Sequence, residues 1–279
     1  MRRLWLLAVL AAIMLAALAQ SPAPADFRFV LLGDRTGEAQ SGVWEQVWKQ
    51  AGAENPAFFL GVGDTIQGGD DVTAESEWRA VERTLARYAR FPLYLAPGNH
   101  DVWSPASEKL FQKYTHHPLH YSFDYGEAHF TVLDNSRSDQ FSAEESAFLE
   151  SDLRRHQAQP VKFIVSHRPS WILDAGLRNT HAALHQLALK YGVKYVIAGH
   201  VHQLLHVDLD GVTYLCAPSA GGHLRASEQY EDGWFFGYTL VNVHGADVGM
   251  RIRELSAPHG KGRVTSLADW GLTGLTVRP

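Results

Sequence analysis

An α/β fold is predicted for this chain, on three observations. Apolar runs alternate with helical patterns over the first two-thirds of the sequence. The last third is mostly short apolar runs set apart by Gly or Asp turns. Five of the earlier runs end, within a few residues, in Gly or Ser beside Asp, Asn or His. The alternation favours an α/β core, and the strand-rich end adds a second, largely antiparallel sheet.

The first strand is 27–32. Residues 43–51 place Val43, Trp44, Val47 and Trp48 on one helical face. A strand at 57–60 precedes a helix from Thr73, a candidate N-cap, to Tyr88, in which Arg79 and Arg83 offset Glu75, Glu77 and Glu82. Strand 93–96 runs into the Asn99-His100 loop, and a short helix follows over 107–114. Gly126-Glu127 between 121–125 and 129–133 reads as a hairpin turn. Ser142-Ala143-Glu144-Glu145 has the capping-box pattern and opens a helix to His156. Pro160 precedes strand 161–165, and a helix over 180–191 leads to strand 194–198. Strands 204–209, 212–216, 238–243 and 248–254 complete the domain, 27–255, and the tail 256–279 is expected to pack loosely.

The chain has 279 residues, 46% hydrophobic and 20% charged, with a formal net charge of -5. That balance is ordinary for a globular domain and argues against a general attraction to nucleic acid. Residues 1–19 read as an export signal: Arg2 and Arg3, an apolar stretch over 4–18, then Ala17-Leu18-Ala19 as a cleavage site. The stretch is about 15 residues, shorter than the roughly 20 of a membrane span, so cleavage is expected, with an uncleaved membrane anchor as the alternative; after cleavage no stable insertion is expected. Pro22 and Pro24 mark a linker over 20–26, and the expected location is periplasmic or secreted. The single cysteine, Cys216, rules out an internal disulfide and is expected to be a buried packing residue.

The five strand ends carry Asp34, Asp64, Asn99, His167, and the pair His200 and His202. Taken alone, each cluster is more often a turn or a packing histidine. Their co-occurrence is what matters. Carboxylates hold cations together, while Asn and His bind without adding charge. Nitrogen and oxygen donors without thiolate suit Mn, Fe or Zn, as divalent or trivalent ions. Two such ions about 4 Å apart can clamp a phosphoryl group and lower the pKa of a bridging water, whose hydroxide attacks phosphorus. His100, beside Asn99, is the candidate proton donor to the leaving oxygen, with Asp101 expected to hold its other ring nitrogen.

The same series resembles the calcineurin-like metallophosphoesterases. The resemblance is carried by Gly33-Asp34-Arg35-Thr36-Gly37, Gly61-Val62-Gly63-Asp64, Gly98-Asn99-His100-Asp101, Ser166-His167-Arg168-Pro169 and Gly199-His200-Val201-His202, and it covers 27–254. It implies a four-layer αββα sandwich, two central mixed sheets between helices, with the metal site at the loop edge. It implies that Asp34, Asp64 and His202 hold one ion and that Asp64, Asn99, His167 and His200 hold the other. Asp64 would bridge them, and His100 would be the catalytic histidine.

The chain departs from that pattern at Thr36, where the family usually has His. Thr36 or Gln67 could substitute weakly, so the first ion is expected to fill less readily. Arg35 and Asn99 are the candidate substrate-binding residues. For Arg35 the alternative is a salt bridge to Asp70 or Asp71. Arg168 and Arg137 are weaker candidates. The 67–71 loop and the Trp103 loop are expected to wall the pocket, and Trp103, Trp171 and Trp234 either stack on substrate or pack internally.

The leading expectation is a hydrolase of a small phosphomonoester or phosphodiester. A non-catalytic phosphate- or metal-binding module and a nuclease are the alternatives. The oligomeric state is open.

Overall fold

The computed structural model describes residues 26–270 apart from Glu228. The expected signal, most of the linker and residues 271–279 lie outside the described residues.

Two six-stranded mixed sheets face each other. The first has β1 (Asp26–Leu32), β2 (Phe59–Gly61) and β3 (Leu93–Leu95) in parallel. Beyond β1 it continues antiparallel through β10 (Gly237–His244), β11 (Asp247–Glu254) and β12 (Val264–Ser266). The second sheet opens with the hairpin β4 (Tyr121–Tyr125) and β5 (Ala128–Val132). It continues in parallel through β6 (Val161–Val165), β7 (Tyr195–Ala198) and β9 (Val212–Cys216), with β8 (Leu205–Leu209) antiparallel at its edge. The late strands therefore do not make an antiparallel sheet of their own. β10 pairs along the edge that β1 leaves open, while β8 and β9 extend the parallel run, so each sheet is mixed.

The inner faces meet over aromatic rings. Phe29 stacks on Phe58 at 4.9 Å and meets Phe130 and Phe163 edge-on at 5.4 and 5.6 Å. Such pairs add about 0.5–1.5 kcal/mol each beyond the area they bury. The outer face of the first sheet takes α1 (Val43–Ala53) through Val43, Val47 and Trp48. α2 (Ala74–Leu85) and α3 (Pro105–Thr115) cover it further along, through Trp78, Val81 and Phe111. α4 (Ala143–Arg155), the short α5 (Ile172–Gly176) and α6 (Ala183–Tyr191) cover the second sheet. The result is the four-layer αββα sandwich. No helix among the described residues is long and apolar enough to cross a membrane.

Several boundaries differ from expectation for local reasons. α3 begins earlier because Ser104 Oγ accepts from Ser107 N at 3.1 Å and Pro105 suits the first helical position. Ser142 caps α4 through Glu145 N at 3.1 Å, but the Glu145 carboxylate accepts from Asp134 N at 2.9 Å and contacts His120 Nδ1 at 2.6 Å. Glu145 is thus committed to a neighbouring loop and not to the reciprocal half of a capping box. α2 starts after Thr73 as expected, though without a side-chain cap bond, and its last turn tightens into a 3₁₀ turn over Ala86–Tyr88.

Among the described residues of the tail, 264–270 pack against the domain, contrary to expectation. β12 pairs with β11, and Leu267 and Trp270 are buried in the inter-sheet core. Arg263 grips Glu254 with two nitrogens at 2.8 and 3.0 Å and Glu231 with a third at 2.7 Å, while lying 3.9 Å over the Tyr230 ring. Arg263→Ala is expected to cost about 1–2 kcal/mol, because it leaves Glu254 nearly buried without its partner. Urea denaturation checks this, and an unchanged midpoint would show that the Arg263 contacts contribute nothing to stability.

Candidate metal centre

Parallel register sets the stage. Leu32 pairs with Gly61, and Gly61 with Leu95, so β1, β2 and β3 end side by side. In the other sheet Val165 pairs with Ile197. The carboxyl ends of strands from both sheets meet at one edge, where α/β proteins commonly bind ligands.

The six expected ligands converge there. Donor atoms of Asp64, His167 and His200 all lie within 4.8 Å of one another, as do those of Asp34, Asp64 and His202. Asp64 belongs to both groups. Its Oδ1 is 3.2 Å from His167 Nε2. That same nitrogen lies 3.0 Å from Asn99 Oδ1 and 3.1 Å from His200 Nδ1. Asp34 Oδ2 is 3.3 Å from His202 Nε2. Both carboxylates are 1% exposed.

Backbone carbonyls set the ring orientations. His167 Nδ1 donates to Val62 O at 2.9 Å and His202 Nδ1 donates to His223 O at 2.8 Å. Each bond fixes the tautomer and turns Nε2 toward a carboxylate, which is how metal-binding histidines are usually held. Asp34 is oriented by His200 N, at 3.0 and 2.9 Å from its two oxygens. The chain accepts strain to do this. Asp64, His200 and His202 have φ of 55°, 70° and 60°, a left-handed conformation that non-glycine residues adopt at a cost. A Cβ on Gly98 would strike Asp64, so only glycine lets the third loop pass this close. This donor set of carboxylate, amide and imidazole fits a pair of Mn, Fe or Zn ions.

Charge is strongly coupled here. Burial pushes the Asp64 carboxyl up, but the charge and hydrogen bond of His167 and the His100 N–H outweigh it and hold it at about 2. Burial works against protonation of His167, yet Asp64 raises it to about 9. Burial and then the neighbouring His167 lower His200 to about 4.

With the metals removed by chelation, the protonated His167–Asp64 pair holds these loops. The raised histidine contributes stability that is complete below its ordinary value of 6.5 and lost as pH rises through about 9. The lowered carboxyl contributes stability that is complete above 3.8 and lost as pH falls through about 2. Chelated protein is therefore expected to lose thermal stability between pH 7 and 9 more steeply than metal-loaded protein. Metal must displace the His167 proton, so uptake near neutral pH is expected to release about one proton. Calorimetry in buffers of different ionisation enthalpy measures it, and uptake without proton release would contradict the pairing.

The neighbours of these ligands bring corrections. Asp101 does not hold the His100 ring. Its Oδ1 accepts from Thr65 N at 2.8 Å and Ile66 N at 3.1 Å, and its Oδ2 from Gly98 N at 3.0 Å. Fully buried, it staples the loop after β2 to the loop after β3. Burial and the Asp64 charge raise its pKa to about 6. The His100 Nδ1 partner is instead the Gln67 carbonyl. That bond makes Nδ1 a donor and leaves Nε2 as the exchangeable position. Thr36 donates to Gln67 Oε1 at 2.5 Å, so the two residues considered as substitute ligands bind each other. Arg35 makes no ion pair with Asp70 or Asp71 among the described residues. Its Nη1 donates to Thr65 O at 2.9 Å and its guanidinium lies 5.9 Å from the Trp44 ring. Arg168 pairs with Asp139 and Arg137 with Glu108, each at 2.8 Å. Asp71 accepts from Ser104 Oγ at 2.6 Å and Trp103 lies against Gly68, which joins the two loops expected to wall the site. Trp171 is buried against Tyr214 and packs internally. Cys216 is buried too, with its thiol pushed up by burial.

Two supports escaped the sequence reading. Asn135 Oδ1 accepts from His167 N at 3.1 Å and Arg168 N at 3.0 Å, orienting the loop after β6. It follows an apolar strand, so the signal used for the other clusters was present here as well. His223 acts through its carbonyl, which no side-chain pattern can reveal. A further group of donors, Asp124, His129 and His156, lies away from this edge; there His129 is clamped between Asp124 at 2.7 Å and Asp152 at 2.8 Å.

Comparison with known proteins agrees with this geometry. The sequence model of the calcineurin-like phosphoesterases matches residues 27–204. The chain is 26% identical over 207 residues to the 3',5'-cyclic adenosine monophosphate phosphodiesterase CpdA of Haemophilus influenzae, covering 68% of this chain and 73% of that protein. It is 25% identical over 170 residues to purple acid phosphatase 15 of Arabidopsis thaliana, covering 52% of this chain but only 32% of that protein. The fold is similar to purple acid phosphatase PPD1 from yellow lupin (Lupinus luteus) seeds, with a TM-score of 0.66 at 19% identity, over 88% of this chain and 54% of that one. It is also similar to GAP50, the anchor in the inner membrane complex of Plasmodium, with a TM-score of 0.60 at 15% identity, over 91% of this chain and 90% of that one. The family match spans more than half of the chain and includes every convergent ligand, and the protein belongs to the calcineurin-like phosphoesterases as a phosphoric ester hydrolase.

Proposed function

We propose that the protein hydrolyses a small phosphomonoester or phosphodiester with a pair of metal ions. Asp34, Asp64 and His202 hold one ion; Asp64, Asn99, His167 and His200 hold the other. The observation that carries this reading is the sharing of buried Asp64 between two donor groups. When bound, such a pair supplies Lewis acidity and a water of lowered pKa. The protein's own residues do the rest. Asn135 and the carbonyls of Val62 and His223 hold the rings in place. Asp101 keeps two ligand loops together, and His100, oriented by the Gln67 carbonyl, protonates the leaving oxygen from Nε2. The relation to a cyclic nucleotide phosphodiesterase and to a phosphatase makes both ester classes candidates.

Turnover of p-nitrophenyl phosphate, bis(p-nitrophenyl) phosphate and cyclic AMP tests this, after chelation and reloading with Mn, Fe or Zn. Restoration by metal is expected. Equal turnover by chelated protein would sink the reading. A non-catalytic metal- or phosphate-binding role draws on Thr36 alone, and turnover separates the two. The pattern of residues 1–19 supports export. N-terminal sequencing of material from the periplasm or medium is expected to begin near Gln20, and retention of Met1 would refute cleavage.

A further inference from the structure

The loop that leaves β9 brings a cation to the ligand cluster, and the matched residues of the family, which end at 204, do not include it. Arg225 Nη2 lies 3.5 Å from His202 Nε2, the nitrogen that also faces Asp34. The loop is anchored on both sides of the cluster. Ala220 N and Gly222 N donate to Asp34 O at 3.0 and 3.1 Å, and His223 N donates to Gly37 O at 2.9 Å. His223 O in turn receives His202 Nδ1. Gly222 passes so close to the His202 ring that a Cβ there would meet its Cε1 at 2.5 Å. Arg225 follows only two residues beyond His223, so its backbone is carried by the same fastening.

Its surroundings set it apart from the other arginines near the site. Arg35 is turned to the Thr65 carbonyl, and Arg137 and Arg168 are engaged by Glu108 and Asp139. Arg225 is exposed, and among the described residues no carboxylate pairs with it. A guanidinium has no acceptor, so it cannot bind a cation. With His202 Nε2 committed to an ion, the group best suited to Arg225 is an anion at that ion. It stands beside Asp34 and His202, where Thr36 offers a hydroxyl bound to Gln67 and no imidazole.

We propose that Arg225 is a substrate-binding residue, whose guanidinium donates to a phosphate oxygen beside the Asp34–His202 position. A permanent positive charge there supplements an ion with fewer strong protein ligands. It also favours a phosphomonoester dianion over a diester monoanion, because the attraction grows with the charge of the anion. This inference rests on the phosphoesterase reading above.

The test uses metal-loaded protein and the variants Arg225→Ala and Arg225→Lys. Inorganic phosphate binding is measured by calorimetry, metal content by elemental analysis, and KM and kcat with p-nitrophenyl phosphate and bis(p-nitrophenyl) phosphate. Arg225→Ala is expected to weaken phosphate binding between about ten- and a hundredfold. The KM for the monoester should rise comparably and more than that for the diester, with metal content unchanged. Arg225→Lys should recover part of the loss, since it restores the charge but not the fork. Unchanged phosphate binding in Arg225→Ala overturns the proposal, and so does a loss that tracks a fall in metal content. Wild-type protein that binds phosphate through Arg225 yet hydrolyses neither ester defeats the phosphoesterase reading and leaves the phosphate site standing.

Discussion

Asp64→Asn is expected to lower turnover at least about a thousandfold and to cost the protein both ions. Asp64 alone takes part in both donor groups. The amide keeps the shape of the side chain, and its oxygen can still accept from His100 N, a bond of 2.9 Å in the native chain. It removes the negative charge of a carboxylate that is itself only 1% exposed and that, on the proposed reading, would draw two cations. His202→Ala is the informative contrast, because His202 belongs to one group only. That variant is expected to retain one ion. Elemental analysis beside turnover separates the two outcomes. Asp64→Asn protein with two ions and near-native rates would show that Asp64 bridges nothing.

His100→Ala is expected to reduce kcat by about 10²–10⁴-fold, the usual worth of a positioned proton donor, with metal content unchanged. The deficit should shrink as the leaving group becomes a weaker base, since a stable phenolate needs no proton. A series of aryl phosphates measures this, and a deficit independent of leaving-group pKa would remove His100 from that role. Asp101→Asn should behave differently. Asp101 accepts three backbone N–H groups from two ligand loops, and the amide can satisfy only part of that set. Its loss is expected in metal retention and thermal stability, with no dependence on the leaving group.

The ligand set was legible because its signals are local. Each residue follows an apolar run, all but His202 sit beside a glycine or serine, and the side-chain type announces the chemistry. The backbone conformations at Asp64, His200 and His202 show why glycine neighbours matter, since these loops turn through left-handed geometry. What was misread depended on direction. Asp101 follows His100 in sequence, but adjacent side chains in a loop need not face each other, and Asp101 turns inward to backbone donors. Thr36 and Gln67 each looked like a stand-in ligand, yet they lie 31 positions apart and satisfy one another. For Arg35 only the salt-bridge alternative fails among the described residues, because its guanidinium donates to the Thr65 carbonyl and not to Asp70 or Asp71. The sequence lacks periodicity over 256–279, and the packing of its described part comes from Leu267, Trp270 and the Arg263 grip on Glu231 and Glu254.

From the chain alone came the α/β class, the six candidate ligands and their order, the absence of thiolate among them, and the unusual Thr36. These are properties of residue type and short-range pattern, and they survive without knowledge of how distant segments meet. The folded molecule decided how closely the candidate donors approach, which nitrogen each ring presents, what Asp101 and Gln67 hold, and that Arg225 reaches His202. Such choices depend on distances between loops far apart in sequence. Those distances are set by strand register and by backbone hydrogen bonds across two sheets, which no local pattern encodes.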